Sequence, residues 1–508
     1  MNPTPIPYLL ALALLFGASL GRAGAKPNIL FFITDDQSWM HAGAFGLDKS
    51  IQTPAFDRIA KEGVLFNHAY CAAPSCAPSR AALLTGRHIW QLEEGGNLFG
   101  ILNAGKYPLF TTRLEEAGYQ LACTGKTYGP GRLLDGPKSG VSGRKYSSHK
   151  LKNVPRGMSG MDYASNFVEF LDSRDTDKPF FFWLGTSEPH QNYNIGGWKA
   201  AGKKLEEALL PGCLPDHPVT RGEMLDYALE IEHADRHLAQ ALEALEKAGE
   251  LDNTFILCTS DHGNPMPRSK CNLYDSGSRV PLAVRFPKKV PGGRVVEDFI
   301  HLADLAPTFL EAAGAKPMGT IRARSFWNVL TSCQSGWIDG SRSFAVSAME
   351  RHIICRRNGE GYPMRMIRTK DWAYIRNYEP TRWPAGDPDF NSSHQGFYGD
   401  VDKGESKKFM ISNAMEPKVR PYFLRSFARR PAEELYDIHN DPHQLENLAD
   451  DPTRTSTKAQ LAQQLEEFLK EQDDPRQKGD APWDDYPFVD QRIFKNPQWK
   501  TQGFASPL

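Results

Sequence analysis

Pro27-Asn28-Ile29-Leu30-Phe31-Phe32-Ile33-Thr34-Asp35-Asp36 is the stretch that decides the fold. A continuous apolar run of strand length is the mark of a central parallel strand covered on both faces. Here it stops at two adjacent carboxylates, and the same design recurs three times. Residues 119–124 lead into Gly125-Lys126, residues 179–184 lead to Glu188-Pro189-His190, and Thr254–Ser260 end in Asp261-His262-Gly263. Open α/β sheets bind ligands beyond the carboxyl ends of their strands. Four buried strands therefore deliver carboxylates, a lysine and a histidine to one rim.

The spaces between the strands are filled by helical patterns. Residues 224–248 carry Leu238, Leu242 and Leu245 at i, i+4 and i+7 and stop at Gly249, and residues 304–313 precede Gly314. Strand and helix in alternation predict an α/β fold with a mainly parallel, doubly wound sheet. Beyond about residue 340 the pattern changes. Residues 364–378 read as short strands, residues 383–431 are rich in Pro, Gly, Asp and aromatic side chains, and residues 456–471 form a last helix. The division expected is a large domain, 26–340, and a smaller C-terminal α+β domain, 341–508.

Composition sets limits on function. Sixty Lys and Arg against 61 Asp and Glu leave a net charge of −1 over 508 residues, so no overall field draws the chain to nucleic acid or an anionic membrane. At 40% hydrophobic and 24% charged it is an ordinary globular sequence. The apolar run at residues 9–16 is too short to span a bilayer, and Ala23-Gly24-Ala25 follows it, so residues 1–25 are expected to be a secretory signal despite an n-region without Lys or Arg. A secreted or periplasmic location follows, lysosomal if the source is eukaryotic. Eight cysteines are too few for a disulfide scaffold of this length, and no CxxC pair suggests zinc.

The strongest local signal is Cys76-Ala77-Pro78-Ser79-Arg80, continuing through Leu84-Thr85-Gly86-Arg87. A lone cysteine at a helix start is ordinarily a small core residue; the accompanying Pro, Arg and Leu-Thr-Gly-Arg are not explained that way. The segment resembles the signature of the type I sulfatases, in which Cys-x-Pro-x-Arg directs a maturation enzyme to oxidise the cysteine to formylglycine. The resemblance implies an alkaline-phosphatase-like fold and a hydrated aldehyde whose one hydroxyl attacks sulfur while the other later expels sulfate. Asp35, Asp36, Asp261, His262 and the oxygen at position 76 are implied to surround Ca²⁺, with Mg²⁺ the other hard cation suited to carboxylates. Arg80 is implied to support the diol, Lys126 and Lys270 to hold sulfate oxygens, and His190 to act as the general acid. Lys270 opens Lys270-Cys271-Asn272-Leu273-Tyr274-Asp275, which is similar to the family's second signature. Where many members have Gly-Lys-x-His this chain has Gly125-Lys126-Thr127-Tyr128, and a phenol with a pKa of about 10 is a poor base.

Within the family the likeness extends to the heparan N-sulfatases (N-sulfoglucosamine sulfohydrolases), through Asp261-His262-Gly263-Asn264-Pro265-Met266-Pro267, Tyr362-Pro363-Met364-Arg365 and Asp441-Pro442-His443. The expected substrate is a sulfate ester or sulfamate on a sugar, with no nucleic acid or membrane partner. An O-sulfatase on another polysaccharide, a phosphonate or phosphodiester hydrolase on the same scaffold, and a carbohydrate-binding protein with a dead site are the alternatives. The intact Asp35, Asp36, Cys76 and Asp261 set argues against the last. Glu350-Arg351-His352 begins the second domain, and Arg351 and His352 are expected on a loop over the site rim, meeting the sugar. His233 and His237 have the spacing of a zinc-protease helix, but Ala234 replaces the needed Glu, so a solvated or partly packed face is expected.

Overall fold

The computed structural model describes residues 26–488 apart from 320, 393 and 394. The expected signal segment, 1–25, lies outside the described residues. Eight strands form one sheet in the order 294–296, 64–66, 282–285, 254–260, 28–34, 180–185, 120–125, 144–145. Asn28–Thr34 is central and parallel to both Thr254–Ser260 and Phe180–Gly185, which in turn is parallel to Gln120–Gly125. Leu282–Arg285 is antiparallel to both of its neighbours. All seven residues of Asn28–Thr34 are buried, as are all of Phe180–Gly185 and Thr254–Ser260. Burial on both faces is why these strands read as continuous rather than alternating apolar runs.

Two apolar layers cover the sheet. Phe31, Trp183, Phe255 and Leu257 pack on one face with Leu305–Ala312, while Leu30, Phe182 and Ile256 pack on the other with helices Tyr163–Ser173 and Pro218–Lys247. The long helix starts six residues before the expected position. Pro218 and Gly222 read as breakers in the sequence, yet Pro at the first turn supplies a preset φ and lacks an N–H that would go unpaired there. Gly222 is needed for contact, since a Cβ on it would lie 3.0 Å from the Trp198 indole nitrogen.

A second, four-stranded antiparallel sheet runs Phe344–Met349, Met364–Thr369, Trp372–Asn377, Glu433–Asp437, with Thr455–Glu471 packed beside it. The segment rich in Pro, Gly, Asp and aromatic side chains, 383–431, contains two short helices, Glu405–Ser412 and Arg420–Phe427. At two turns each they are too short to show a period, and Met410, Phe423 and Phe427 hold them by packing near Met224 and Tyr227 of the long helix. Among the described residues no helix is long and apolar enough to cross a membrane.

The expected sugar-binding loop at Glu350-Arg351-His352 is corrected by burial. Glu350 joins Arg365 at 2.6 Å and Arg476 at 2.6 Å. Arg351 donates to the carbonyls of Asp484 at 2.7 Å and Tyr486 and stacks over Phe488. A guanidinium so engaged is a clasp for the 484–488 segment rather than a sugar ligand. Arg351→Ala is expected to destabilise the protein by about 3 kcal/mol, through carbonyls left without their charged donor. A thermal melt with parallel kinetics checks this: a raised KM with unchanged stability would return Arg351 to the substrate.

Candidate active site

Register builds the site. Thr34 lies opposite Ser260, Ile33 opposite Gly185, and Gly185 opposite Gly125. Asp35 and Asp261 are thus the first residues beyond two adjacent strands, and Lys126 the first beyond a third, separated from Asn28–Thr34 by Phe180–Gly185. Gly125 has a φ of +71°, and a Cβ on it would fall 1.9 Å from the Gly185 carbonyl. This close approach lets the Lys126 N–H donate to Gly185 at 2.8 Å, fixing where the lysine leaves the sheet. Asp36 adopts φ 72°, a left-handed conformation that Asp tolerates. The turn breaks strand alternation, so that two consecutive carboxylates reach one cluster.

Cys76 is the first residue of the helix Cys76–Thr85, whose ten residues are all buried and which closes on a left-handed Gly86. Cys76, Ser79 and Arg80 share one helix face at i, i+3 and i+4. The Ser79 hydroxyl donates to the Asp261 carbonyl at 2.6 Å, and Arg80 donates through Nε to Asp261 Oδ2 at 2.8 Å and through Nη1 to the Thr127 carbonyl at 2.7 Å. The spacing of the cysteine motif is therefore that of a helix tied to two strand ends. The partial positive charge of the helix start lies at Cys76, where an anionic nucleophile is stabilised.

Ligand atoms of Asp35, Asp36, Cys76 and His262 all lie within 4.8 Å of one another. Cys76 Sγ is 3.4 Å from His262 Nε2, which is 3.0 Å from Asp36 Oδ1. His262 Nδ1 faces the Gly263 carbonyl at 3.0 Å; against burial, the Asp261 and Asp36 carboxylates raise the pKa of the ring well above the usual imidazole range, so it donates from Nε2 to Asp36 until a cation takes the place of that proton. Asp261 stands beside it. Its Oδ2 is taken by Arg80, and its Oδ1 accepts from the Asp36 and His262 amides at 3.2 and 2.9 Å.

Lys126 Nζ is 2.5 Å from Asp35, and Lys270 Nζ is 2.9 Å from Asp36, 2.9 Å from Asp402 and 3.2 Å from His190 Nε2. Burial would raise Asp36, but Lys270, His190 and His262 hold it well below the usual carboxylate range. Burial raises Asp35 in spite of Lys126, with Asp261 and Asp36 adding to the effect. Arg80 above all overcomes burial at Asp261 and keeps it ionised. Lys126 and Lys270 are held charged against burial, chiefly by Asp35 and Asp36 respectively.

The donor set fits a hard divalent cation. Asp35 Oδ1 is buried without a hydrogen bond, with Arg80 Nη2 beside it at 3.5 Å, and Asp36 Oδ1 has no partner beyond the nearby His262 ring. Such oxygens are costly unless a cation faces them. With the His262 ring neutral, as a metal ligand must be, four carboxylates, at 35, 36, 261 and 402, stand against three cations, at 80, 126 and 270. A dication turns that deficit of one into a surplus of one, the match for a singly charged ester of a strong acid.

Asp402 was not legible in the sequence. It lies 132 residues from Lys270, in a stretch with no period and no motif around it. Ser75 was also missed as a site neighbour; its hydroxyl lies 2.8 Å from His352 Nδ1. His352 is thus buried beside the cysteine rather than exposed at the rim, and burial lowers its pKa to about 4. Tyr128 packs near Cys76, with its hydroxyl unpartnered and its pKa raised by burial. It is a neutral phenol, unfit as a base.

An open cavity of about 370 Å³ is lined by Asp35, Lys126, Glu188 and His190. His190 Nδ1 is 2.6 Å from the Gln191 carbonyl, which fixes the ring with Nε2 toward Lys270. A larger cavity elsewhere is bordered by His233 and His237. Those rings pack edge to face at 4.8 Å, both largely buried, so the face is packed rather than solvated. Burial lowers both to about 4. An unfolded chain protonates them from about pH 6.5 downward while the fold does not, so the stability they permit is complete above 6.5 and is lost as pH falls toward 4, by several kcal/mol. The double variant His233→Gln, His237→Gln is expected to flatten the fall in melting temperature over that interval; an unchanged slope would contradict the assignment.

Similarity to known proteins extends over most of the chain. Residues 27–315 match the family model described as Sulfatase, and residues 268–383 match that of the N-sulphoglucosamine sulphohydrolase C-terminal region. An ulvan-active sulfatase of Formosa agariphila is 28% identical over 463 residues, 88% of this chain and 81% of the relative. Human N-sulphoglucosamine sulphohydrolase is 25% identical over 517 residues, 93% of this chain and 95% of the relative. A solved structure with its substrate D-glucosamine-2-N,6-O-disulfate aligns with a TM-score of 0.63 at 21% identity, covering 88% of this chain and 98% of the other, and shares the fold.

Proposed function

The chain belongs to the sulfatase family and is a sulfuric ester hydrolase, and on that premise we propose that it removes sulfate from a sulfated glycan, with a heparan-type N-sulfoglucosamine residue as the favoured target. The observation that carries this reading is the pocket at Cys76, where Lys126, Lys270 and Arg80 stand over a carboxylate cluster and His190 faces the opening. The match of residues 268–383 to the N-sulphoglucosamine sulphohydrolase C-terminal region supports the sulfamate, whereas the ulvan-active relative supports an O-sulfate. Desulfation of a defined panel of N- and O-sulfated sugars separates the two; release from O-sulfates alone would overturn the N-sulfate reading.

Formylglycine at position 76, made from Cys76 by a maturation enzyme, supplies as its hydrate a nucleophilic oxygen and a second hydroxyl for later release. Asp35, Asp36, His262 and the oxygen at 76, with Asp261 adjoining, would hold Ca²⁺ or Mg²⁺, which would supply positive charge to acidify that oxygen. The remaining work falls to the protein's own side chains. Lys126 and Lys270 bind sulfate oxygens and stabilise the charge that moves onto the leaving atom. Arg80 holds Asp261 and the 126–127 backbone in place. His190, its ring fixed through Nδ1, passes to the departing oxygen or nitrogen a proton that its Nε2 receives from Lys270, 3.2 Å away. Asp402 orients Lys270, so the part of the chain beyond residue 340 completes the sulfate pocket. A secreted or periplasmic setting, or a lysosomal one, suits this substrate.

His190→Ala is expected to lower kcat by about 10²–10⁴-fold on a sugar sulfate. The loss should be far smaller on an aryl sulfate, whose leaving group needs no proton. Equal losses on both substrates would make His190 a sulfate ligand instead.

A further inference from the structure

A second groove, of about 680 Å³, opens beside the site and has no part in the chemistry above. Gln191 walls both cavities, and the 156–157 turn gives Gly157 to the first and Arg156 to the second. Three segments enclose it: the start of the long helix, the 191–199 turn bearing Trp198 and Lys199, and the 403–408 stretch bearing Lys403 and Lys408.

The acids of this groove are occupied in building its walls. Glu223 accepts from the Glu405 and Ser406 amides at 2.8 and 2.7 Å and from Gln191 Nε2 at 3.1 Å. Asp226 accepts from the Gly196 and Trp198 amides at 2.7 and 2.9 Å. Glu405 pairs with Lys408 at 2.6 Å. Arg156, Lys199 and Lys403 are exposed and form no ion pair among the described residues. Lys199 stands 5.4 Å from the half-buried Trp198 ring, which presents an apolar surface beside unpaired positive charge. The groove and the sulfate pocket also share a wall. Asp402 reaches Lys270 from a stretch whose next residue is Lys403, and that stretch can approach because residue 404 is Gly: a Cβ there would lie 2.3 Å from Glu223 Oε1 and 2.6 Å from Gln191 Nε2.

We propose that this groove binds the neighbouring sugar of an oligosaccharide through an anionic group, sulfate or carboxylate. Lys403 and Arg156 take the anion, and Trp198 covers the ring face. An aromatic wall with few placed charges is the chemistry that recognises a sugar ring bearing an acid. The inference rests on the adjoining cavity being the sulfate-ester site, and it narrows the substrate from a sulfated monosaccharide to an anionic chain of at least two residues.

The test compares Lys403→Glu and Trp198→Ala with the parent, all full-length and matured, on a sulfated tetrasaccharide and on the corresponding monosaccharide sulfate. The ratio of kcat/KM, tetrasaccharide to monosaccharide, is expected to fall about tenfold or more in each variant, carried by KM. An unchanged ratio overturns the groove while leaving the sulfatase reading intact. If the parent releases sulfate from neither compound, titration calorimetry with a heparin-derived tetrasaccharide decides independently. Weaker binding to Lys403→Glu, in a variant whose melting temperature matches the parent's, supports the groove; equal binding, or none to the parent, overturns it.

Discussion

Cys76→Ala is expected to remove sulfate release by about four to six orders of magnitude, the scale on which loss of a covalent nucleophile registers. The fold should survive. Position 76 is the first residue of its helix and makes no intrahelical demand that Ala fails to meet. The helix is held by Ser79 and Arg80, which the substitution leaves in place. Mass spectrometry of the peptide containing residue 76 in active protein should find an aldehyde or its hydrate. Full turnover from protein carrying only the thiol would defeat the assignment, because a thiol has no second hydroxyl with which to expel sulfate.

Asp36→Asn should cost about three orders of magnitude in turnover and most of the bound metal together. Asp36 faces His262 at 3.0 Å, Lys270 at 2.9 Å and the cation cluster at once. The amide keeps the shape and removes the charge, and several kcal/mol of lost charge stabilisation corresponds to that factor. Elemental analysis is expected to give calcium or magnesium near one per chain in the parent and little in the variant. Stoichiometric zinc in the parent, or full metal content in an inactive variant, would refute the cation site.

The central sheet was legible because its strands are buried on both faces, so each appears as one apolar block ending in polar residues. Thr254–Ser260 coincides with its expected bounds, Asn28–Thr34 begins one residue later than expected, and Gln120–Gly125 and Phe180–Gly185 are each displaced by one residue at both ends. The cysteine helix was legible for another reason: Cys76, Ser79 and Arg80 act within one turn, so their chemistry is compressed into local sequence. Asp402, by contrast, meets Lys270 only through tertiary folding, and nothing near it in the chain marks it. Arg351 failed in the opposite sense. Its charge suggested solvent and substrate, while its partners, the Asp484 and Tyr486 carbonyls, lie more than 130 residues away and carry no sequence signal at all.

The cover over Cys76 is made late. His352, which meets Ser75, lies 277 residues downstream, and Ile353, Cys355, Phe390 and Phe488 join the cluster that buries the cysteine. A ribosome adding about 5–20 residues per second needs about 14–55 s to produce the first of these after Ser75. Throughout that interval Cys76 belongs to a chain that cannot yet close over it, and any enzyme that must reach the thiol has an opening measured in tens of seconds. Once the second sheet docks, the residue is 3% exposed and the opening is shut. The yield of competent protein is then a race between two rates, and slowing elongation between residues 76 and 352 should raise the fraction converted without altering one contact of the finished fold.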